Sequence, residues 1–303
     1  MDAHSLIDRR RMARRLVLWR LLAVAGLALA AIMAVGEGRS PGLSGPIVGP
    51  HVARVTVDGL IGDDPDRTAA ILALAEDDRV KAVLVRIDSG GGTATGGESL
   101  YSALRKVAEK KPVVATIGTL GASAAYMTAI AADRVFVRET SITGSIGVIM
   151  EAPEASGLLE RVGIAVNTLK SAPLKGQPSF TDKMTPEGRA YLQAMIDDSF
   201  AYFRGMVGAR RNLKDEALDR VADGRAFTGR QALALGLVDA LGGEAEARDW
   251  LAAQKGVSKD LPVRPLRNPE EDGWVASVVP APARKMLFGE WVKLDGLVSV
   301  WHP

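Results

Sequence analysis

The sequence predicts an α/β protein: parallel-sheet βαβ units, a helical second half, and one N-terminal transmembrane helix ahead of both. Three observations carry this. Between residues 52 and 137, β-rich runs alternate with runs that are apolar at helical spacing, which argues for crossover units and a largely parallel sheet. From Thr185 onward the pattern is mainly helical. The 20 residues Leu16–Val35 carry a single charge, Arg20. A helix of that length spans about 30 Å, the thickness of a bilayer's hydrocarbon core.

The elements follow in order. Residues 1–15 form a basic tail whose arginines should hold the N-terminus in the cytoplasm, and Arg20 can snorkel to the headgroups. Residues 16–35 are then an anchor, with the body outside the cytoplasmic membrane. A cleaved signal peptide is the rival, given the small residues Ala28–Ala31; the length of the apolar run favours the anchor. Residues 36–50 (GEGRSPGLSGPIVGP) read as a linker. The folded domain is expected over 51–245, with a C-terminal extension over 246–303. Within the domain, strands are expected at Val52–Val57, Val80–Ile87, Pro112–Ile117 and Arg134–Val137. Helices are expected at Thr68–Glu76, Glu98–Glu109 and Ala122–Ala132. In the second half, Thr185-Pro186-Glu187 opens a long helix to Arg210, with a capping hydroxyl followed by proline in the first turn. Shorter helices are expected at Lys214–Ala222 and Gly229–Leu235.

Charge and composition exclude several functions. The chain has 303 residues and a net charge of +2. Residues 1–35 alone are net +4, leaving 32 basic and 34 acidic residues in the body. A broad nucleic-acid surface does not fit that balance. Cysteine is absent, so disulfides, thiolate metal sites and a cysteine nucleophile are excluded. The three histidines, His4, His51 and His302, leave no ordinary Ser-His-Asp triad. No cofactor or metal is called for.

Two motifs carry the chemistry. Asp88-Ser-Gly-Gly-Gly-Thr93 follows the second strand. Glycines leave backbone N–H groups accessible, suited to a phosphate or an oxyanion, although a plain tight turn has the same composition. No Gly-Lys-Ser/Thr follows, and the G-x-G-x-x-G spacing is absent. Gly121-Ala-Ser-Ala-Ala-Tyr126 follows the third strand and opens a helix. Ser123 is by itself an N-cap candidate. Beside the glycine segment, at the carboxyl ends of neighbouring parallel strands, it also fits a nucleophile. A serine nucleophile without histidine needs another base, and lysine is the common choice. Lys170 and Lys175 lie among apolar and small residues, and desolvation turns a lysine into a usable base by lowering its pKa from about 10.4. In an extended segment, their five-residue separation would point them to opposite sides.

The chain resembles the short form of the bacterial signal peptide peptidase A family, membrane-anchored serine proteases. Six blocks carry the resemblance: Ile87-Asp-Ser-Gly-Gly-Gly92, Gly121-Ala-Ser-Ala-Ala-Tyr126, Thr143-Gly-Ser-Ile-Gly-Val148, Leu174-Lys-Gly-Gln-Pro-Ser179, Ala222–Arg230 and the expected helical tail Gly236-Leu-Val-Asp239. The resemblance runs from about residue 52 to 245. The resemblance implies a fold like the Clp protease subunit and the crotonase group, and a Ser-Lys dyad of Ser123 and Lys175. Lys170 is the alternative base, and the N–H groups of Gly92 and Ala124 are the implied oxyanion hole. It also implies a ring-shaped homo-oligomer and peptide substrates that are remnant signal peptides in the membrane. Two positions depart from the family's pattern. The usual Ser-Pro-Gly-Gly is here Ser89-Gly-Gly-Gly92, and Ser-Gly-Gly-Tyr is here Ser123-Ala-Ala-Tyr126. Two other functions share such a fold: a crotonase-type acyl-CoA enzyme and a non-catalytic membrane scaffold. An external anchored domain has poor access to CoA, and that chemistry has no use for a serine–lysine pair.

Overall fold

The computed structural model describes residues 49–266, Trp19 and a short strand at 298–300. The expected basic tail, the anchor apart from Trp19, and the linker up to residue 48 lie outside the described residues. Among the described residues no helix is long and apolar enough to cross a membrane.

The first strand, β1 (His51–Ile61), runs four residues past its expected end, and the second, β2 (Val80–Thr93), runs six. The glycine segment expected as a loop is therefore strand. The reason is non-local: Leu60 and Ile61 pair with Gly91 and Gly92 across a register shift. Helix α1 (Pro65–Ala73) joins these strands; Asp64 caps it by accepting from the Arg67 N–H at 2.8 Å. Helix α2 (Ala94–Ala108) starts directly after β2, capped by Thr93. Strand β3 (Val113–Ala122) leads through Ser123 into α3 (Ala124–Ala129), and β4 (Arg134–Val137) and β5 (Ile142–Gly144) follow. A short helix α4 (Ser156–Arg161) precedes the long α5 (Pro186–Arg211) and α6 (Asp215–Asp219). Strand β6 (Ala226–Thr228), helix α7 (Gly229–Ala234), strand β7 (Ala240–Leu241), helix α8 (Glu244–Lys255) and strand β8 (Val263–Pro265) complete the unit, with β9 (Val298–Val300).

The sheet order is β6-β5-β3-β2-β1-β8, with β4 on β3 and β7 on β4. The β8–β1–β2–β3–β4 ladders are parallel, as the alternation of runs predicted. Both faces are covered, which is why β2 reads as a nearly unbroken apolar run. Val83, Val85 and Ile87 face a large core with α2, α3 and α5; Ala82 and Leu84 face a smaller one with Ala247, Leu251 and Val257. The compact unit therefore continues through residue 245, where the C-terminal extension was expected to begin, because α8 covers the second face of the sheet. Gly236–Asp239, expected as helical, is a turn.

Candidate active site

Ser123 stands between the last residue of β3 and the first of α3, with φ 59° and ψ −124°. A residue with a Cβ pays about 1–3 kcal/mol for such backbone, so the surroundings must over-determine it. They do. The Ser123 N–H donates to the Gly144 carbonyl at 2.8 Å. The Thr143 hydroxyl donates to the Gly121 carbonyl at 2.7 Å, and the Leu120 N–H donates to Asp88 Oδ1 at 3.1 Å. The Ser141 hydroxyl donates to the Gly118 carbonyl. Gly144 itself has φ 83°, a conformation glycine adopts without strain.

Ser123 occupies the N-cap position, yet its side chain makes no capping bond. Capping, the simplest reading of this serine from sequence, is therefore not its role. The residue is 1% exposed. The N–H groups of a first helical turn have no intrahelical acceptor, and that of Ala124 adjoins the serine.

β2 lies beside β3 in parallel, with Ser89 opposite Gly121, so the glycine segment begins one strand away from the residues that lead into Ser123. At Gly92 glycine is obligatory for a reason sequence did not reveal: an added Cβ would lie 1.9 Å from the Ile61 carbonyl oxygen. The alanine at 124 is accommodated by another glycine, since a Cβ at Gly97 would sit 3.0 Å from that of Ala124. The Tyr126 hydroxyl is fully buried and donates to the Leu237 carbonyl at 2.7 Å. Burial pushes its pKa up, keeping it a neutral donor. Asp239 accepts from the Val135 N–H at 2.7 Å and pairs with Arg211. The turn Gly236–Asp239 thus pins both α3 and β4.

The lysines sit in a different setting. Lys175 is exposed, in a turn closed by its N–H on the Ala172 carbonyl at 3.1 Å. Among the described residues its ammonium makes no hydrogen bond or ion pair, with Ser123 included. Lys170 is half-buried and pairs with Asp182 at 3.5 Å. The segment is turned, not extended, so the alternation argument for their directions does not apply. Ser123 and Ala124 adjoin in the chain, Gly92 lies three residues beyond the last β2–β3 pair, Ser89 opposite Gly121, and both lysines are unbonded to the serine. Sequence reasoning assigned no role to Asp88, Ser141, Thr143 or Gly144. Thr143 and Gly144 stood in the Thr-Gly-Ser block and Asp88 in the glycine motif, while Ser141 lay in neither.

Two grooves flank α5. One, about 640 Å³, is lined by Thr93, Thr95, Met127, Val148, Met195 and Tyr202 among others. It touches both the end of the glycine strand and the residue one turn after Ser123. The other, about 630 Å³, includes Ile146, Val148, Ile196 and Phe200. Both offer apolar walls to side chains of a bound peptide.

Fold and site together define a serine peptidase. The peptidase family S49 profile matches residues 105–258, just over half of the chain. A protease-named protein of Synechocystis sp. is 43% identical over 211 residues, covering 69% of this chain and 76% of that protein. An Enterococcus faecium protein named for signal peptide peptidase SppA is 29% identical over 218 residues, covering 67% of this chain and 63% of that one. A solved ClpP1 structure from Listeria monocytogenes superimposes at a TM-score of 0.42 with 14% identity, over 64% of this chain and 93% of that one. The chain belongs to peptidase family S49.

Proposed function

We propose that this peptidase is a membrane-anchored endopeptidase of the Ser-Lys type, cleaving remnant signal peptides or other hydrophobic peptides at the bacterial inner membrane. The observation that carries the chemistry is Ser123, held at positive φ with its hydroxyl not used for capping, beside the glycine strand. The Lys175 amine takes the Ser123 proton while Oγ bonds to the scissile carbonyl carbon. The carbonyl oxygen becomes an oxyanion, stabilised by the N–H groups of Gly92 and Ala124. The peptide nitrogen leaves with the proton from Lys175, and water then hydrolyses the acyl-serine. Lys170 is the alternative base. The Clp-protease-like reading of the sheet belongs to this proposal, since it too puts the nucleophile at a strand's carboxyl end.

The arginine-flanked apolar stretch 16–35 supports this location, with the N-terminus cytoplasmic and the catalytic domain external. The apolar grooves favour hydrophobic peptides, and the name of the Enterococcus relative points to signal peptides. A homo-oligomeric ring is favoured by uncovered apolar side chains between 158 and 180: Leu158, Val162, Ile164, Leu169 and Phe180 are all more than half exposed.

A serine-directed phosphonate tests the core of the reading. Intact mass should show one adduct per chain, and peptide mapping should place it on Ser123. An unlabelled Ser123 in protein that binds hydrophobic peptides would favour the non-catalytic scaffold.

A further inference from the structure

Helix α3, which follows Ser123, packs into the larger core on one face of the sheet. The opposite face carries the smaller core and, beyond it, a separate cavity of about 370 Å³ that shares no lining residue with either groove. The strand period of two explains its walls. Leu84 and Val114 face the smaller core, so Arg86 and Thr116, two residues further along and opposite each other in register, face the same way. Arg138 likewise stands two residues past Phe136 of that core. Helix α8 begins at Glu244 and covers the apolar part of this face; where the apolar part ends, the walls turn polar.

Two observations distinguish this cavity from a wet sheet end. Thr116 is 5% exposed, and among the described residues its hydroxyl has no hydrogen-bond partner. A buried hydroxyl without a partner is rare in a folded protein, and this one lines the cavity. Arg86 and Arg138 line it too, and neither guanidinium makes a hydrogen bond or an ion pair with any described residue. Arg138 lies within electrostatic reach of Glu246, whose carboxylate already accepts from the Gly243 N–H at 2.7 Å. The walls also hold two carboxylates. Glu244 is paired with Arg54 at 2.5 Å. Asp88 offsets one of the two free arginines, which leaves the charge of the other.

One uncompensated positive charge, two planar guanidiniums and a buried hydroxyl suit a single carboxylate, whose two oxygens accept from guanidinium N–H groups in parallel and from an O–H. A phosphate dianion would bring a second negative charge against Asp88. The reaction proposed above makes one new carboxylate at every cut. We propose that this cavity binds the C-terminal carboxylate of a peptide product, with Arg86 and Arg138 holding its charge and Thr116 donating its hydroxyl hydrogen. The site lies on the far side of the strand that leads to Ser123. The inference rests on the peptidase reading for the source of its ligand.

The test uses the full chain with Ser123 blocked by the phosphonate, so that no probe is held at the serine. Calorimetry compares three probes: acetyl-Gly-Leu with a free carboxylate, the same peptide as its C-terminal amide, and inorganic phosphate. The variants are Arg86→Gln/Arg138→Gln, at two exposed positions, and Thr116→Val, which removes the hydroxyl and keeps the branched shape. The acid should bind once per chain, and the amide at least about tenfold more weakly, because hydrogen bonds to a charged group are lost. The arginine variant should bind the acid as weakly as the wild-type chain binds the amide, with an unchanged urea midpoint. Thr116→Val should weaken the acid several-fold and leave the amide alone. Equal binding of acid and amide by the wild-type chain overturns the proposal whatever the variants do. So does acid binding that survives loss of both arginines, and so does phosphate binding tighter than the acid. Labelled Ser123 without acid binding overturns the proposal and leaves the peptidase reading standing. If Ser123 takes no label, the peptidase reading falls and takes the product-derived ligand with it.

Discussion

Residues 113–148 and 149–185 carry the two halves of the proposed chemistry, and they are built in opposite ways. The first contains β3, α3, β4 and β5. Most of it is buried, and side-chain hydrogen bonds from Asp88, Ser141 and Thr143 fix its backbone around Ser123. The second has one six-residue helix, and of the described residues none between Ile149 and Thr185 enters either core. Leu169 is 99% exposed. Ser123 is thus preorganised by its own chain, at the cost of a strained φ. The lysine segment is held by turns and one ion pair. Setting a base against Ser123 requires that segment to be ordered further, which the covered apolar surface of an oligomer would supply.

The largest expected effect tests the preorganised half. Ser123→Gly and Ser123→Ala should both lower turnover by a factor on the order of 10⁴ or more. Their stabilities should differ, because glycine accepts φ 59° freely and alanine does not. Urea unfolding should place the glycine variant about 1 kcal/mol above the alanine variant. Equal midpoints would mean that the turn is not strained, and the contrast between the halves would lose its basis.

The second prediction probes the loose half. Lys175→Ala should lose activity as fully as Ser123→Ala, and the double variant should be no worse, since a nucleophile and its base act as a unit. Lys175→Arg should fail as well, because guanidinium does not deprotonate in proteins. Stability should move by less than about 0.5 kcal/mol, as expected for an exposed side chain. Peptide turnover and urea midpoints check both. Wild-type turnover in Lys175→Ala with a dead Lys170→Ala would move the base to Lys170.

Thr143→Val separates positioning from chemistry. It removes the donor to the buried Gly121 carbonyl, two residues before Ser123. An unsatisfied buried acceptor costs about 1–3 kcal/mol, and the unfolding midpoint should report that loss. Phosphonate labelling of Ser123 should slow in the folded variant, and Thr143→Ser should restore both. Slowed labelling without a change in stability would show that the hydrogen bond shapes the turn but does not hold it.

Sequence disclosed what is local or periodic. The parallel units were legible because apolar runs alternate between two periods, and α5 because Thr185-Pro186-Glu187 marks its start. The continuation of β2 through Gly90–Gly92 was not, because it depends on pairing with Leu60 and Ile61, some 30 positions away in the chain. Serine's left-handed backbone was equally hidden: nothing in Gly-Ala-Ser-Ala-Ala-Tyr specifies φ, and Gly144 and Thr143 impose it from another strand. The turn at Ala172–Lys175 defeated an argument from strand alternation because the period of two holds only in extended chain.

The smallest expected effect concerns Lys170. Its ammonium lies 3.5 Å from Asp182, with side chains 22% and 35% exposed. Such a pair in partial contact with water contributes about 0–1 kcal/mol. Asp182 is also bonded by the Ser179 hydroxyl at 3.1 Å, so losing the lysine leaves the carboxylate with a partner. Lys170→Ala and Asp182→Ala should each shift stability by under about 1 kcal/mol. A double-mutant cycle should give a coupling that shrinks at 1 M salt, where the screening length is about 3 Å. Lys170→Ala should keep most of the turnover, since the pair only closes the loop. A coupling that persists at high salt, with turnover lost in both single variants, would place Lys170–Asp182 within the catalytic arrangement and show the lysine segment to be as preorganised as the serine.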